Sequence, residues 1–432
     1  MRWRRERRGF FPPSSCATMR PMVAPALPYL TEDLPPIPAA IKERDDDFFV
    51  DEIPAYLPSG EGDHVYFGIE KRGLTTMRAI REIAGALGAR PDQIGCAGLK
   101  DARGVTRQTM SLEHADPARI AALELERIQV LWVNRHRNKL RTGHLRGNRF
   151  AIKLREVDPA RLGDVREALS SLARRGVPNY FGPQRFGARG DTWEIGRALL
   201  RRDFAEAVAL VGGRPRAEDH GDVLRARELY EEGRLDEAAD AWPRGFGDNA
   251  RLVRFLARRP GEHEKAIFGL DRKLLGLYAS AYQSHLFNRV VAARIHGLDR
   301  VELGDLAWKH DKGVVFRVDS PDVENPRAER GEISPSGPMY GERMSWPAER
   351  PGAFEAELLA GEGMTVDSFP RSGPLKCAGG RRPLRFLPKD VSAEAGADEH
   401  GAFIEVRFGL DSGCYATVLL REVCKDGLVG DV

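Results

Sequence analysis

Cysteine is scarce. Five occur among 432 residues, at Cys16, Cys96, Cys377, Cys414 and Cys424. An odd number without a C-x-x-C pair argues against a disulfide framework and against a thiolate zinc site, so a reducing, cytoplasmic setting is expected. No other pattern requires a metal or a cofactor, and none is expected. Long apolar runs are missing too. Nothing approaches the stretch of about 18 residues that a membrane-spanning helix needs, and no secretory signal opens the chain. Charge of one sign is also lacking in bulk: Lys and Arg total 67 against 64 Asp and Glu, a net charge of +3. The total therefore says little about partners, and only the distribution can.

What is present has an ordinary soluble composition, 42% hydrophobic and 30% charged. A chain of 432 residues exceeds one ordinary core, so two domains are expected. Residues 1–30 stand apart. MRWRRERR places five arginines in eight residues, and Pro12, Pro13, Pro21, Pro25 and Pro28 follow. Such a segment can bury no core and is expected to be a disordered extension. It can be an RNA-contacting arm, an organelle transit peptide, or the product of an upstream start codon with Met19 or Met22 as the true start; the last is favoured. Basic charge also gathers internally. From Leu131 to Arg155 no acidic residue occurs, while Arg135, Arg137, Lys139, Arg141, Arg146, Arg149, Lys153 and Arg155 all fall inside. Such a block can neutralise several phosphates; a solvated basic face is the plainer alternative.

The stretch from Gly95 to Thr109, GCAGLKDARGVTRQT, organises the rest. Its small residues let the backbone pass close to other backbone or to a ligand. Lys100-Asp101 then stands at a turn before a β-prone run, Val105 to Leu112. A carboxylate there is braced on both sides yet faces outward, which suits a nucleophile, a general base or a metal ligand. An ordinary turn aspartate fits the same residues. Upstream, DFFVDEI (47–53) alternates as a strand and HVYFGIEKR (64–72) reads as another. Thr75 to Leu87 is an expected helix, with Thr76 as cap, Met77, Ile80, Ala84 and Leu87 on one face, and Gly88 as its stop. Downstream, Arg127 to Arg135 and FAIKL (150–154) are expected strands, and Asp158 to Arg175 an amphipathic helix. Helical patterns cover 191–213, 224–241, 248–259 and 262–295. Two short strands follow between Gly304 and Val318. Strand patterns return at Pro383 to Pro388 and at Ala402 to Phe408, before a closing loop and helix.

The wording of these segments resembles the TruD family of tRNA pseudouridine synthases. AGLKDARGVTRQ (97–108) is similar to that family's signature. Its K-x5-F-x-V-x-E pattern is met by Lys42, Phe48, Val50 and Glu52, and its G-N-x-F pattern by Gly147, Asn148 and Phe150. VPNYFGPQRFG (177–187) follows another family motif, with Pro183 where Glu is more usual. SAYQSHLFN (280–288), SPSGP (334–338) and DSGCYATVLL (411–420) follow three more. The resemblance implies Asp101 as the catalytic residue with Lys42 beside it, and Phe48, Asn148, Phe150 and Tyr415 at the substrate. Asn179, Gln184 and Arg185 are expected to be inter-domain or RNA-facing scaffold. Together with the strand and helix patterns it implies an α+β fold. A mixed or antiparallel-sheet catalytic domain over 31–176 and 373–432 is expected to be interrupted by a largely helical α/β insertion over 177–372.

The activity so implied is isomerisation of uridine to pseudouridine in tRNA, at position 13, without a cofactor. The chemistry needs an ionised carboxylate at the junction of sugar and base, attacking C1′, adding to C6, or assisting removal of the 2′ proton; the residues alone do not choose. It also needs the base out of its stack. Lys42 is the expected cation beside the carboxylate. Phe150 is the expected stacking surface, and Arg135, Arg137, Lys139, Arg141 and Arg146 are expected backbone contacts. A monomer acting on tRNA without a protein partner is expected. A non-catalytic RNA-binding module or RNA-folding helper on the same scaffold is the alternative, though a pure binder has no need of Lys42, Asp101, Asn148 and Phe150 together. A carboxylate-pair hydrolase lacks a second acid in a convincing motif.

Overall fold

The computed structural model describes residues 27–430. Most of the expected tail, residues 1–26, lies outside the described residues. Residues 27–30 differ from that expectation because they carry apolar side chains that find a core. Leu30 is buried, and the Tyr29 hydroxyl donates to Asp426 at 2.5 Å.

In chain order the first part contains β1 (Ala39–Ala40), β2 (Phe48–Pro54), β3 (His64–Arg72), α1 (Thr76–Leu87), β4 (Gly95–Cys96), β5 (Val105–Glu113), α2 (Pro117–Ala121), β6 (Ile128–His136), β7 (Leu145–Leu154), α3 (Leu162–Arg175) and β8 (Val177–Pro178). The middle part contains α4 (Thr192–Leu200), α5 (Phe204–Gly212), α6 (Gly221–Glu231), α7 (Leu235–Ala241), α8 (Gly247–Arg258), α9 (His263–Phe268) and α10 (Arg272–Ala293). Then come β9 (Leu306–Lys309), β10 (Val314–Arg317), α11 (Pro321–Glu329), β11 (Ile333–Met339) and α12 (Glu349–Gly361). The chain closes with β12 (Gly380–Pro383), β13 (Arg385–Phe386), β14 (Lys389–Asp398), β15 (Gly401–Asp411), α13 (Ala416–Cys424) and β16 (Leu428–Val429). The fold is α+β.

The main sheet runs β14-β15-β7-β2-β5-β3-β6, with β4 on β5. The β2–β5 pair is parallel and its neighbours are antiparallel. Side-chain parity, carried across the register, places one set of residues on one face. Val50 stands opposite both Thr106 and Phe150, Glu52 opposite Asn148, Lys71 opposite Thr106, and Phe408 opposite Phe150. Two apolar clusters cover this face. One packs Phe67, Ile69 and Met110 against Ile80 and Ile83 of α1. The other packs Phe48, Ile152 and Val406 with Leu169 of α3 and Leu419 of α13. Between them, over the parallel pair, lie Glu52, Lys71, Thr106, Gln108 and Asn148. That gap in the covering is where the 97–104 loop crosses.

The helical middle part has its own core, with Leu210, Leu229, Val253 and Tyr282. The 22-residue α10 is apolar on more than one side. Leu286 serves the helical core, while Phe287, Val290 and Val291 enter the main core, so α10 ties the two together. A second sheet, β10-β9-β11-β12, stands beside it. The strand expected over 383–388 divides in two. Residues 380–383 pair with β11, and 385–386 pair with β8. At the far ends of the chain, β1 and β16 pair in parallel, Ala39 with Leu428 and Ala40 with Val429.

Candidate active site

Lys42 lies two residues past the end of β1, in a left-handed backbone conformation (φ 57°). The residue before it is fixed by the far end of the chain, since the Ile41 amide donates to the Val429 carbonyl at 2.9 Å. Lys42 Nζ lies 3.1 Å from Asp101 Oδ2. The lysine side chain is only 4% exposed, whereas that of Asp101 is 50% exposed. The ammonium also stands 4.4 Å from the centre of the Phe48 ring. A buried cation thus faces a carboxylate that keeps one side open.

The loop carrying Asp101 is fastened from below. Lys71, fully buried, donates to the backbone carbonyls of Leu74 and Asp101, the latter at 2.8 Å. Burial pushes its ammonium down to about 8. Thr76 does not cap α1; Thr75 does, accepting from the Arg78 amide. Thr76 Oγ1 instead accepts from the Lys100 amide at 2.8 Å and donates to Gln108 Oε1 at 3.0 Å. Two threonines in a row allow this division, one serving the helix and one the loop.

Lys100 Nζ bridges Glu52 Oε2 at 2.7 Å and Asn148 Oδ1 at 2.9 Å. Glu52 Oε1 in turn accepts from the Thr109 amide at 3.1 Å. An ammonium only donates, so the atom that Asn148 turns to it is the oxygen, and the NH₂ end is the one left over. Gln108 Nε2 and Thr106 Oγ1, beneath the loop, are buried and make no hydrogen bond.

The aromatic residues divide. Phe48, expected at the substrate, is 2% exposed and sits within the main core, edge-on to Phe150 at 6.3 Å between ring centres. It supports Lys42 and Phe150 and presents no open face. Phe150 is half-buried and stacked on Phe408 at 5.3 Å. Tyr415 is 40% exposed, on the turn that leaves β15. Asp411 of that turn stands opposite Gly147, and the Ser412 amide donates to the Arg146 carbonyl at 2.9 Å. Tyr415 therefore belongs to the rim next to Asn148.

The basic block splits. Arg135, Arg137, Arg141 and Arg146 are exposed and Lys139 is half-buried. Arg135 donates to the Gly62 carbonyl at 3.1 Å, Arg137 pairs with Glu61, and Lys139 reaches the Asp92 carbonyl at 3.0 Å. Lys153 and Arg155 are structural instead. Both bind Asp398, and Arg155, 4% exposed, also binds the fully buried Asp47 at 2.7 Å. Arg155 stands just past the end of β7, and its pairing with Asp47 and Asp398 buries it, which charge counting along the sequence does not see. Sequence reasoning also missed Lys71, and gave Thr76 only the role of a helix cap. The signal for Lys71 was its parity with the apolar Phe67 and Ile69.

Comparison with known proteins points to one family. The family model for tRNA pseudouridine synthase D (TruD) matches residues 26–423. A Geobacter metallireducens protein named tRNA pseudouridine synthase D is 49% identical over 92% of this chain and 98% of its own length. One of the same name from Anaeromyxobacter dehalogenans strain 2CP-1 is 41% identical, over 92% and 96%. The crystal structure of the putative tRNA pseudouridine synthase D from Methanosarcina mazei matches with a TM-score of 0.82 at 26% identity, over 92% of this chain and 96% of that one.

Proposed function

The chain belongs to the TruD family of tRNA pseudouridine synthases, and on that footing we propose that Asp101 is the nucleophile with which it isomerises uridine, at position 13 of tRNA. The enzyme converts uridine to pseudouridine in tRNA. The C1′–N1 bond breaks, the base turns, and a C1′–C5 bond forms. C5 gives up a proton and N1 gains one, so atoms balance without a co-reactant. The Asp101 carboxylate meets the flipped nucleotide at C1′ or C6.

One observation above all supports this reading: the ion pair of a buried Lys42 with a half-exposed Asp101. The cation cannot turn away to solvent, while the anion can still reach a ligand. Around it, the NH₂ of Asn148 serves a carbonyl of the uracil, because its oxygen is held by Lys100. The accessible part of Phe150 gives the base a stacking surface, worth roughly 1–3 kcal/mol against the few that flipping costs. Tyr415 closes the rim. The exposed Arg135, Arg137, Arg141 and Arg146, with Lys139, follow the tRNA backbone. A single chain suffices.

Asp101→Asn keeps shape and removes the charge. Expected is complete loss of pseudouridine in chemically mapped tRNA, with tRNA affinity within about threefold of wild type. Turnover within about tenfold of wild type would exclude Asp101 as the nucleophile.

A further inference from the structure

Arginines in this fold are commonly seated against carboxylates, as Arg155 is on Asp47 and Asp398 and Arg381 is on Glu355. Arg382 is different. Its guanidinium lies 4.5 Å from the centre of the Phe181 ring and 5.7 Å from that of Phe287. It donates to Asn179 Oδ1 and, at 3.3 Å, to the Gly413 carbonyl. Its Nε is buried and makes no hydrogen bond. The groups that bear on its charge are Cys414, Tyr415 and the guanidinium of Arg185, with no carboxylate among them. Burial, reinforced by Arg185, pushes Arg382 below the usual arginine value.

Arg185 approaches from the other side of the chain, out of the turn at Pro183–Phe186. It lies 5.6 Å from the centre of the same Phe181 ring and donates to Ser284 Oγ at 3.1 Å. Among the described residues it too is paired with no carboxylate. Two like charges, one of them largely desolvated, are therefore gathered around one aromatic ring without an anion. Such an arrangement is unfavourable unless a negative group completes it.

The arrangement is also rigid. Asn179, which holds Arg382, is itself fixed by bonds to the Pro383 and Leu384 carbonyls, both at 2.8 Å. Two guanidinium groups held in place suit a phosphate, whose oxygens accept paired N–H donors. The location supplies the source. Gly413, bonded to Arg382, is two residues from Tyr415, and its neighbour Ser412 is bonded to Arg146 on the rim beside Asn148.

We propose that Arg382 and Arg185 form a clamp for a backbone phosphodiester of the tRNA, close to the target uridine. The clamp rests on the tRNA reading given above, and it gives the VPNYFGPQRFG segment a ligand. The phosphate is held at the seam between the helical insertion and the main sheet, so binding it also locks Asn179 and the Tyr415 turn.

Binding to tRNA, followed over a range of salt concentrations, tests the clamp. Arg185→Gln and Arg382→Gln are each expected to weaken binding about tenfold and to reduce the slope of log affinity against log salt by about 0.7–0.9, the share of one phosphate. A tRNA series with single methylphosphonates flanking the target should contain one position that weakens wild type equally but leaves both variants unaffected. If Arg382→Gln loses its cooperative melting transition, Arg185→Gln decides, since it gives up one bond to Ser284. Unchanged affinity and slope in a folded variant, or no coupled phosphate position, overturns the clamp. Competition by inorganic phosphate at constant ionic strength without a coupled position makes a free ion the ligand and overturns it too. Pseudouridine formation by the wild type is scored separately. If product forms and the variants bind normally, the clamp alone falls; if no product forms, the functional reading falls.

Discussion

Lys42→Met tests the central pair most directly, because it removes a charge at nearly constant length. The two charges stand 3.1 Å apart. At that separation their attraction is about 1 kcal/mol in a water-like medium and about 5 kcal/mol at an effective dielectric of 20. Asp101 is half exposed in the free protein, so the lower value governs there, and solvent replaces much of what the mutation removes. Once the target nucleotide of an already bound tRNA flips onto the carboxylate and reacts, water leaves and the upper value governs in that later step. The difference, roughly 4 kcal/mol at most, corresponds to about a 10²–10³-fold slower reaction of bound tRNA. Binding itself should change by less than about threefold. Single-turnover product formation at saturating enzyme, with the dissociation constant measured in parallel, separates the two. Loss of affinity by about tenfold or more with the rate at saturation intact would make Lys42 a phosphate contact and refute the reasoning. Lys42 also sits on the Phe48 ring, so a melting curve should accompany the kinetics.

Other consequences are as open to measurement. Arg155→Met strands the fully buried Asp47 without its cation, and a loss of about 3–5 kcal/mol in urea unfolding is expected; a loss under about 1 kcal/mol would show that Asp47 finds another partner. His285 stacks on Trp193 at 3.8 Å, and burial pushes its imidazole from 6.5 down to about 4. Below its ordinary value the unfolded chain takes up a proton that the folded one refuses. Stability should therefore fall as pH drops from 6.5 towards 4, by on the order of 2–3 kcal/mol in all. His285→Phe should flatten that part of the profile, and equal slopes in both proteins would exclude the imidazole as the source. Arg137→Glu with Lys139→Glu should weaken tRNA binding and make it less salt-sensitive, by about one unit of slope per lost contact; unchanged binding returns that segment to an ordinary solvated face.

The sequence was informative wherever a residue's surroundings follow from its own strand or helix. DFFVDEI alternates because β2 has one face in the core, and Val50 and Glu52 share a face with Phe48 for that reason. Helical stretches were visible as blocks but not as separate helices. The 191–213 block breaks between α4 and α5, where Arg202 takes a left-handed conformation (φ 60°). β14, KDVSAEAGAD, escaped notice because its side chains are small or polar and only Ala393 is buried. It is a strand because β15 pairs with it along most of its length. The pairing of Lys42 with Asp101 came from a likeness in wording, since no local pattern joins residues 59 positions apart. Lys71 and the Glu52–Lys100–Asn148 chain were out of reach for a different reason. A buried lysine is recognised only once its acceptors are known, and these acceptors come from four separate segments. Phe48 shows the converse: the motif found the residue, while its burial in the main core depends on the packing of β2 against distant helices.

The parallel pairing of Ala39 and Ala40 with Leu428 and Val429 has a bearing on how the protein comes into being. The seat of Lys42 is assembled from residues made before Asp101 and residues made long after it. Joining such distant segments is slow compared with forming the helices between them. During synthesis Asp101 is therefore made long before Lys42 is set in place beside it, and a translation product stopped short of Leu428 would carry Asp101 without the pairing that seats Lys42.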